Sequence, residues 1–189
     1  MPQDHVTEYL SAAYKVMNSL PHDDIRTAVA TLSMLKQVKG RLFIIGVGGS
    51  AANASHAVND FRKIAGIETY TPVDNVSELT ARTNDQGWEY TFIDWLITSH
   101  MNKNDCLLVL SVGGGSAKTS KNIVNAIIYA EQQNTPVISI VSRDGGFAAK
   151  HSTVCILIPP PKKQFITPLS ESFQSVILHL LATHPDVVK

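Results

Sequence analysis

The chain has 189 residues, 44% of them hydrophobic and 17% charged, which is enough for one domain with a sizeable core and too apolar for a disordered one. Sixteen basic side chains balance sixteen acidic ones with no basic block, which argues against nucleic acid as the main ligand. Two cysteines, Cys106 and Cys155, sit in apolar runs of strand type and read as reduced core residues, not as a disulfide framework or a metal pair. No apolar run approaches a membrane span, and Met-Pro-Gln-Asp-His has neither a basic nor an apolar leader region. The expectation is a cytoplasmic protein without a membrane partner.

In chain order, Val6, Tyr9, Leu10, Ala13 and Val16/Met17 recur at helical spacing. Pro21–Asp24 breaks the pattern, and a second amphipathic helix carries Ile25, Val29, Leu32 and Leu35 on one stripe, ending near Gly40. Two helices before any strand exceed what a sheet needs, so residues 1–40 read as a helical arm suited to packing against another subunit. Leu42–Ile45 is the first buried strand, followed by Gly46-Val47-Gly48-Gly49-Ser50 and a helix from Ala51 to about Ile64. Thr69–Val73 is a short strand that Pro72 places at an edge or a strand end. A short helical turn from Asp74 or Ser77 to Thr83-Asn84-Asp85 and a helix over Trp88–Met101 lead to the strand Cys106–Leu110.

Leu107–Ala117 is the most informative stretch: an apolar strand, a hydroxyl at Ser111, three glycines, and Ser116 where a helix N-cap would stand. Consecutive glycines add no packing and cost backbone entropy, so such a loop lets its backbone approach something. A strand, a glycine loop and a helix N-terminus make an anion site, and a tight turn that binds nothing is the other reading. A helix from about Ala117 to Gln133 turns Ile123, Ala126, Ile127 and Ala130 inward, and Val137–Val141 is the next strand. Arg143-Asp144-Gly145-Gly146 starts a short helix, Val154–Ile158 is the last strand, and Thr167-Pro168 opens a helix from about Leu169 to Thr183. Buried Val/Ile/Leu strands alternating with amphipathic helices give one α/β domain over residues 1–189. Its core, 41–189, is a doubly wound, mostly parallel sheet of five strands with helices on both faces.

Two glycine loops, Gly46–Ser50 and Gly113–Ser116, each close a strand, and ligands of open parallel sheets bind beyond such ends. Neither loop fits Walker A or GxGxxG. His56 and Asp60 share a helix face four residues apart, as a metal half-site, a base with its partner, or a solvated surface pair. Glu171 and His179 lie eight apart on the last helix, ~12 Å along its axis, so they reach one site only from opposite ends or from two subunits.

Together these residues resemble the SIS (sugar isomerase) domain family, closest to its sedoheptulose 7-phosphate isomerase branch, over essentially the whole chain. Val47-Gly48-Gly49-Ser50 stands for the family's Asn-Gly-Gly-Ser, His56 and Asp60 for a His and a Glu, and Asn84-Asp85 for an Asn-Asp pair. Ser111-Val112-Gly113-Gly114-Gly115-Ser116 stands for the phosphate loop Ser-Thr-Ser-Gly-x-Ser, Asp144–Gly146 for Asp-Gly-Gly, and Glu171 and His179 for a Gln and a His. The departures are Val47, which lacks an amide for sugar oxygens; Val112 and Gly113, which lack two loop hydroxyls; Asp60, one methylene short; and Glu171, a charge for a neutral amide.

The resemblance implies aldose–ketose isomerisation of a heptose phosphate such as sedoheptulose 7-phosphate to glycero-manno-heptose 7-phosphate. It implies Asp60 as base and His179 as acid or base at the sugar oxygens. Val47, Gly48, Gly49, Ser50, Asp60, Asn84, Asp85, Ser111, Val112, Gly113, Ser116 and Glu171 would contact the substrate. His56 and Glu171 would orient the substrate or, with Asp60 and His179, hold a divalent metal such as zinc, and the assembly would be a homotetramer with sites shared between subunits. The alternative is a non-catalytic SIS protein that binds a phosphosugar as a signal or serves as a scaffold, as relatives associated with replication initiation do.

Overall fold

The computed structural model describes residues 4–189. Residues 1–3, which open the expected arm and belong to the stretch read for a leader, lie outside them. Among the described residues no helix is long and apolar enough to cross a membrane.

Five strands form one sheet in which every neighbouring pair is parallel. β1 (Leu42–Gly46), β3 (Cys106–Leu110) and β4 (Val137–Val141) are buried throughout because helices cover both faces. β2 (Thr69–Tyr70) is an edge of two residues, and β5 (Val154–Leu157), half-buried at alternate positions, is the other edge. The expected strand to Val73 stops early because Pro72 has no amide to extend the ladder and opens a 3-10 turn over Pro72–Asp74.

The strand order is β2-β1-β3-β4-β5. The chain steps from β1 to one side, then crosses to β3 on the other, so the winding reverses between these two strands. Their carboxyl ends, where both glycine loops lie, flank the crevice that this reversal opens.

Side chains alternate between two cores. Leu42, Ile44, Leu108, Leu110, Ile138 and Ile140 face α1 (His5–Asn18), α2 (His22–Gln37), α3 (Gly49–Asp60) and the later α8 (Ile166–Thr183). Phe43, Ile45, Leu107, Val109, Val137 and Val141 face α5 (Thr91–Thr98), α6 (Lys121–Gln132) and α7 (Ala148–His151). Ile25, Val29, Leu32 and Leu35 are all buried, as the α2 stripe requires. On α1 only Val16 is fully buried, with Tyr9, Ala12 and Ala13 packed against the core. Val6, Leu10, Tyr14 and Met17 form an exposed apolar row, so its stripe is wider than the core needs.

Several boundaries differ from the sequence expectation. The helix after β1 changes after Asp60 into a five-residue π turn, Phe61–Ala65, closed by Gly66 at φ 68°. α4 (Val76–Gln86) is a full helix capped by the Asn75 side chain, whereas α5 is shorter than Trp88–Met101. α6 begins at Lys121, not Ala117, because Ser116 closes a turn of its own: its Oγ accepts the amides of Lys118 (3.2 Å) and Thr119 (3.1 Å). α8 begins three residues before Leu169, with Pro168 tolerated in the first turn. The chain ends in a short helix, α9 (Pro185–Val188), whose Val187 is buried.

The amino ends of β1 and β3 are fastened by Asp105, which is 3% exposed. Its carboxylate accepts from the Arg41 amide (3.0 Å), Arg41 Nε (3.1 Å), Arg41 Nη2 (2.8 Å), the Asn102 amide (2.9 Å) and Asn102 Nδ2 (3.0 Å). Removing it strands those donors, so Asp105→Ala should destabilise the fold by ~3 kcal/mol and lower Tm on the order of 10 °C in a calorimetric scan. Asp105→Asn should lose less.

Burial pushes the Cys106 thiol up to about 12 and, with a smaller contribution from the Asp24 charge, the Cys155 thiol up to about 11. Both therefore stay protonated at neutral pH. A thiol-disulfide reagent at pH 8 should label neither within minutes on the native protein and both after unfolding.

Candidate active site

Beyond the ends of β1 and β3 lies a cavity of about 420 Å³. Val47, Ser50, Ser111, Val112, Gly113 and Ser116 line it, so the two glycine loops face one space. Gly115, Thr119, Ser120, Arg143, Asp144 and Gly146 complete the wall. Sequence reasoning missed Arg143 as a site residue, reading it only as part of a helix start beside the Asp144–Gly146 match.

The glycines are there for close approach. A Cβ on Gly114 would lie 1.9 Å from the Gly145 carbonyl oxygen, and one on Gly146 would lie 2.3 Å from that of Gly113. The amides of Phe147 and Ala148 donate to the carbonyls of Gly115 and Gly114, each at 2.9 Å, and Ser142 donates to Val112 at 3.1 Å. The loops after β3 and β4 are thereby one rigid wall. Ser111 is buried, and its Oγ accepts the Gly114 amide (3.1 Å), so its hydroxyl shapes the loop as well as facing the cavity.

A second cluster lies further along α3. His179 Nδ1, on α8, is 3.0 Å from Asp60 Oδ2, and His56 Nε2 is 3.3 Å from the same oxygen. The two imidazoles meet edge to face, 5.1 Å between centroids. Asp60 is buried at 6% exposure while both imidazoles are half open to solvent. Asn53 sets this register: its Nδ2 donates to the Glu171 carbonyl (2.8 Å) and to Gln174 Oε1 (3.2 Å), tying α3 to α8 side by side.

Asp60 Oδ2 has no exposed surface and receives no well-aligned hydrogen bond among the described residues, despite the two imidazoles. A buried carboxylate oxygen so left is costly unless something else satisfies it. One ligand atom from each of His56, Asp60 and His179 lies within 4.8 Å of the others. Two imidazole nitrogens and a carboxylate oxygen form a donor set that suits zinc, and these residues fit the ion.

Glu171 does not join that cluster. Its carboxylate rests on Gly49, where a Cβ would lie 2.3 Å from Oε2, at the first turn of α3. That position is favourable for an anion, since the helix dipole is positive there. Gly48 takes φ 64° as the N-cap of α3. Asn84 and Asp85 bond each other on exposed α4 (2.8 Å) and line neither the cavity nor the cluster.

The family profile described as SIS domain matches residues 7–142. The chain belongs to the SIS domain family. Among its SIS relatives, a phosphoheptose isomerase of Rhodospirillum rubrum is 28% identical over 162 residues, 83% of this chain and 81% of that one. A phosphoheptose isomerase of Geotalea daltonii is 27% identical over 186 residues, 94% of this chain and 92% of that one. In structure, the SIS fold here superposes on phosphoheptose isomerase GmhA from Neisseria gonorrhoeae with a TM-score of 0.78 at 24% identity, covering 94% of this chain and 92% of that one. That agreement extends to the two leading helices and the five-stranded parallel sheet.

Proposed function

We propose that this chain is an aldose–ketose isomerase acting on a phosphorylated sugar, a heptose phosphate such as sedoheptulose 7-phosphate interconverting with glycero-manno-heptose 7-phosphate. The observation that carries this reading is the buried Asp60 carboxylate between two imidazoles, in a chain whose relatives of near-equal length are named phosphoheptose isomerases.

Isomerisation moves a proton between C1 and C2 through an enediol. In this reading Asp60 takes the C1 proton of the ketose and returns a proton to C2. His179, within reach of the same carboxylate, exchanges protons with the C1 and C2 oxygens. His56 orients Asp60, and Glu171 with Ser50 orients the sugar chain. A divalent cation such as zinc, held by His56, Asp60 and His179, would when bound polarise the carbonyl and stabilise developing oxygen charge. The glycine loops, with Ser111 and Ser116, receive the phosphate through hydroxyls and amides.

Ser50 and Asp60 are ~15 Å apart along α3, so the cavity and the acid–base cluster of one chain lie a helix length apart. This supports the reading that four copies assemble with shared sites, and the exposed row Val6, Leu10, Tyr14 and Met17 offers α1 for the contact. Asn84 and Asp85, idle within one chain, would then serve a neighbour's substrate. The test is incubation with sedoheptulose 7-phosphate, as purified, after chelation and after zinc addition, following aldoheptose phosphate. Turnover is expected. Its absence in all three, with phosphosugar still raising Tm, would make the chain a binding protein.

A further inference from the structure

The cavity contains a cation that neither the glycine loops nor the acid–base cluster employs. Arg143 stands just beyond β4, exposed to solvent, and is part of the cavity wall. Among the described residues its guanidinium forms no hydrogen bond and no ion pair. The acid next to it, Asp144, is turned onto its own loop, accepting the Gly146 amide at 3.2 Å.

The remaining wall carries no other charged side chain. Val112 and Gly113 present no hydroxyl there. Ser111 Oγ and Ser116 Oγ are each already acceptors for loop amides. The amides of Val112, Gly113, Gly115 and Ala117 donate to no acceptor among the described residues, so the loop offers unspent donors. Amides and hydroxyls without a counter-charge bind a dianion weakly, and a guanidinium supplies both charge and a forked pair of donors.

Backbone geometry marks the same place. Among the described residues five non-glycine residues have positive φ. Lys39, His100 and Asn134 follow α2, α5 and α6, where a left-handed residue ordinarily ends a helix. The other two, Ser120 at 56° and Arg143 at 56°, are both in the wall of this cavity, and Arg143 ends no helix. An arginine rarely adopts that conformation. Here it follows directly on Ser142, whose amide is fastened to the Val112 carbonyl of the facing loop, and residue 143 lies in the cavity wall.

We propose that Arg143 is the phosphate-recognition residue of this chain, pairing with a phosphate monoester dianion held on the free amides of residues 112–117. This rests on the cavity being the phosphate site. It makes Arg143 the residue that sets the preference for phosphorylated over unphosphorylated sugar.

The test compares wild type, Arg143→Asn and Arg143→Lys. Asparagine tolerates the left-handed backbone, so Arg143→Asn should fold with an unchanged or higher Tm. Titration with inorganic phosphate and with sedoheptulose 7-phosphate should show binding weakened roughly 10- to 100-fold in Arg143→Asn. KM should rise by the same factor with kcat changed less than about threefold, and Arg143→Lys should recover part of the loss. The ratio of kcat/KM for sedoheptulose 7-phosphate over sedoheptulose should fall with the phosphate affinity. Equal phosphate affinity in wild type and Arg143→Asn, or a fall confined to kcat, would overturn the proposal. Wild type that binds neither phosphate nor phosphosugar would instead overturn the reading of the cavity beneath it.

Discussion

Asp60→Asn should lower kcat for sedoheptulose 7-phosphate by roughly 10²- to 10⁴-fold, the range that a positioned general base contributes. The substitution keeps the side chain's size in a site only 6% exposed, so the fold should survive with Tm changed by a few degrees at most. What it removes is the negative oxygen that lies 3.0 Å from His179 and 3.3 Å from His56. An amide can neither take a carbon-bound proton nor complete a His-His-carboxylate donor set. Zinc retained after dialysis, measured by atomic absorption, should fall alongside activity. His179→Ala should give a comparable loss, because the group serving the sugar oxygens disappears. Inorganic phosphate should still bind both variants with wild-type affinity, since neither residue lines the cavity. Full activity in Asp60→Asn would refute the role given to that carboxylate.

The second large effect belongs to the glycine wall. Gly114→Ala should abolish measurable phosphate binding and lower stability by about 2–4 kcal/mol. Gly114 has φ 68°, and its added methyl would fall 1.9 Å from the Gly145 carbonyl oxygen, a backbone atom with no freedom to move aside. The loops after β3 and β4 would have to part, releasing the Ser142, Phe147 and Ala148 hydrogen bonds and Arg143 with them. Gly113→Ala is the control for stability. Its φ is not in the left-handed region and its Cβ position has nothing within 4 Å, so Tm should not change. A Tm that falls for Gly114→Ala and holds for Gly113→Ala would show that contact between the loops, not glycine content, makes the wall.

The strands were legible because a sheet covered on both faces needs continuous apolar runs, and the runs at 42, 106, 137 and 154 have no competing reading. The strand order was not, since all parallel strands look alike to their neighbours. Ser116 carried an N-cap signal that the fold uses for a turn, because its Oγ meets the amides of Lys118 and Thr119 before any helix starts. The π turn after Asp60 follows from packing of Phe61 and Ala65 into the core and leaves no mark in the pattern.

For the site, the pairing of His56 with Asp60 followed from helical spacing alone, whereas the approach of His179 depends on α8 lying beside α3. Glu171 illustrates the limit of spacing. Two residues eight apart on a straight helix cannot both reach one ion from one chain, and Glu171 goes to the opposite end of α3. Arg143 was hidden because the cavity it lines forms between loops distant in sequence.

The central claim, that this SIS protein moves a proton between two carbons of a phosphosugar, is tested most directly in deuterated water. Solvent deuterium should appear at C2 of the aldose formed from sedoheptulose 7-phosphate and, on reversal, at C1 of the recovered ketose. Exchange reports proton abstraction even where the equilibrium hides net conversion. The prediction is time-dependent incorporation by wild type and none by Asp60→Asn. Recovered ketose free of deuterium, from zinc-loaded wild type that demonstrably binds the phosphosugar, would contradict it.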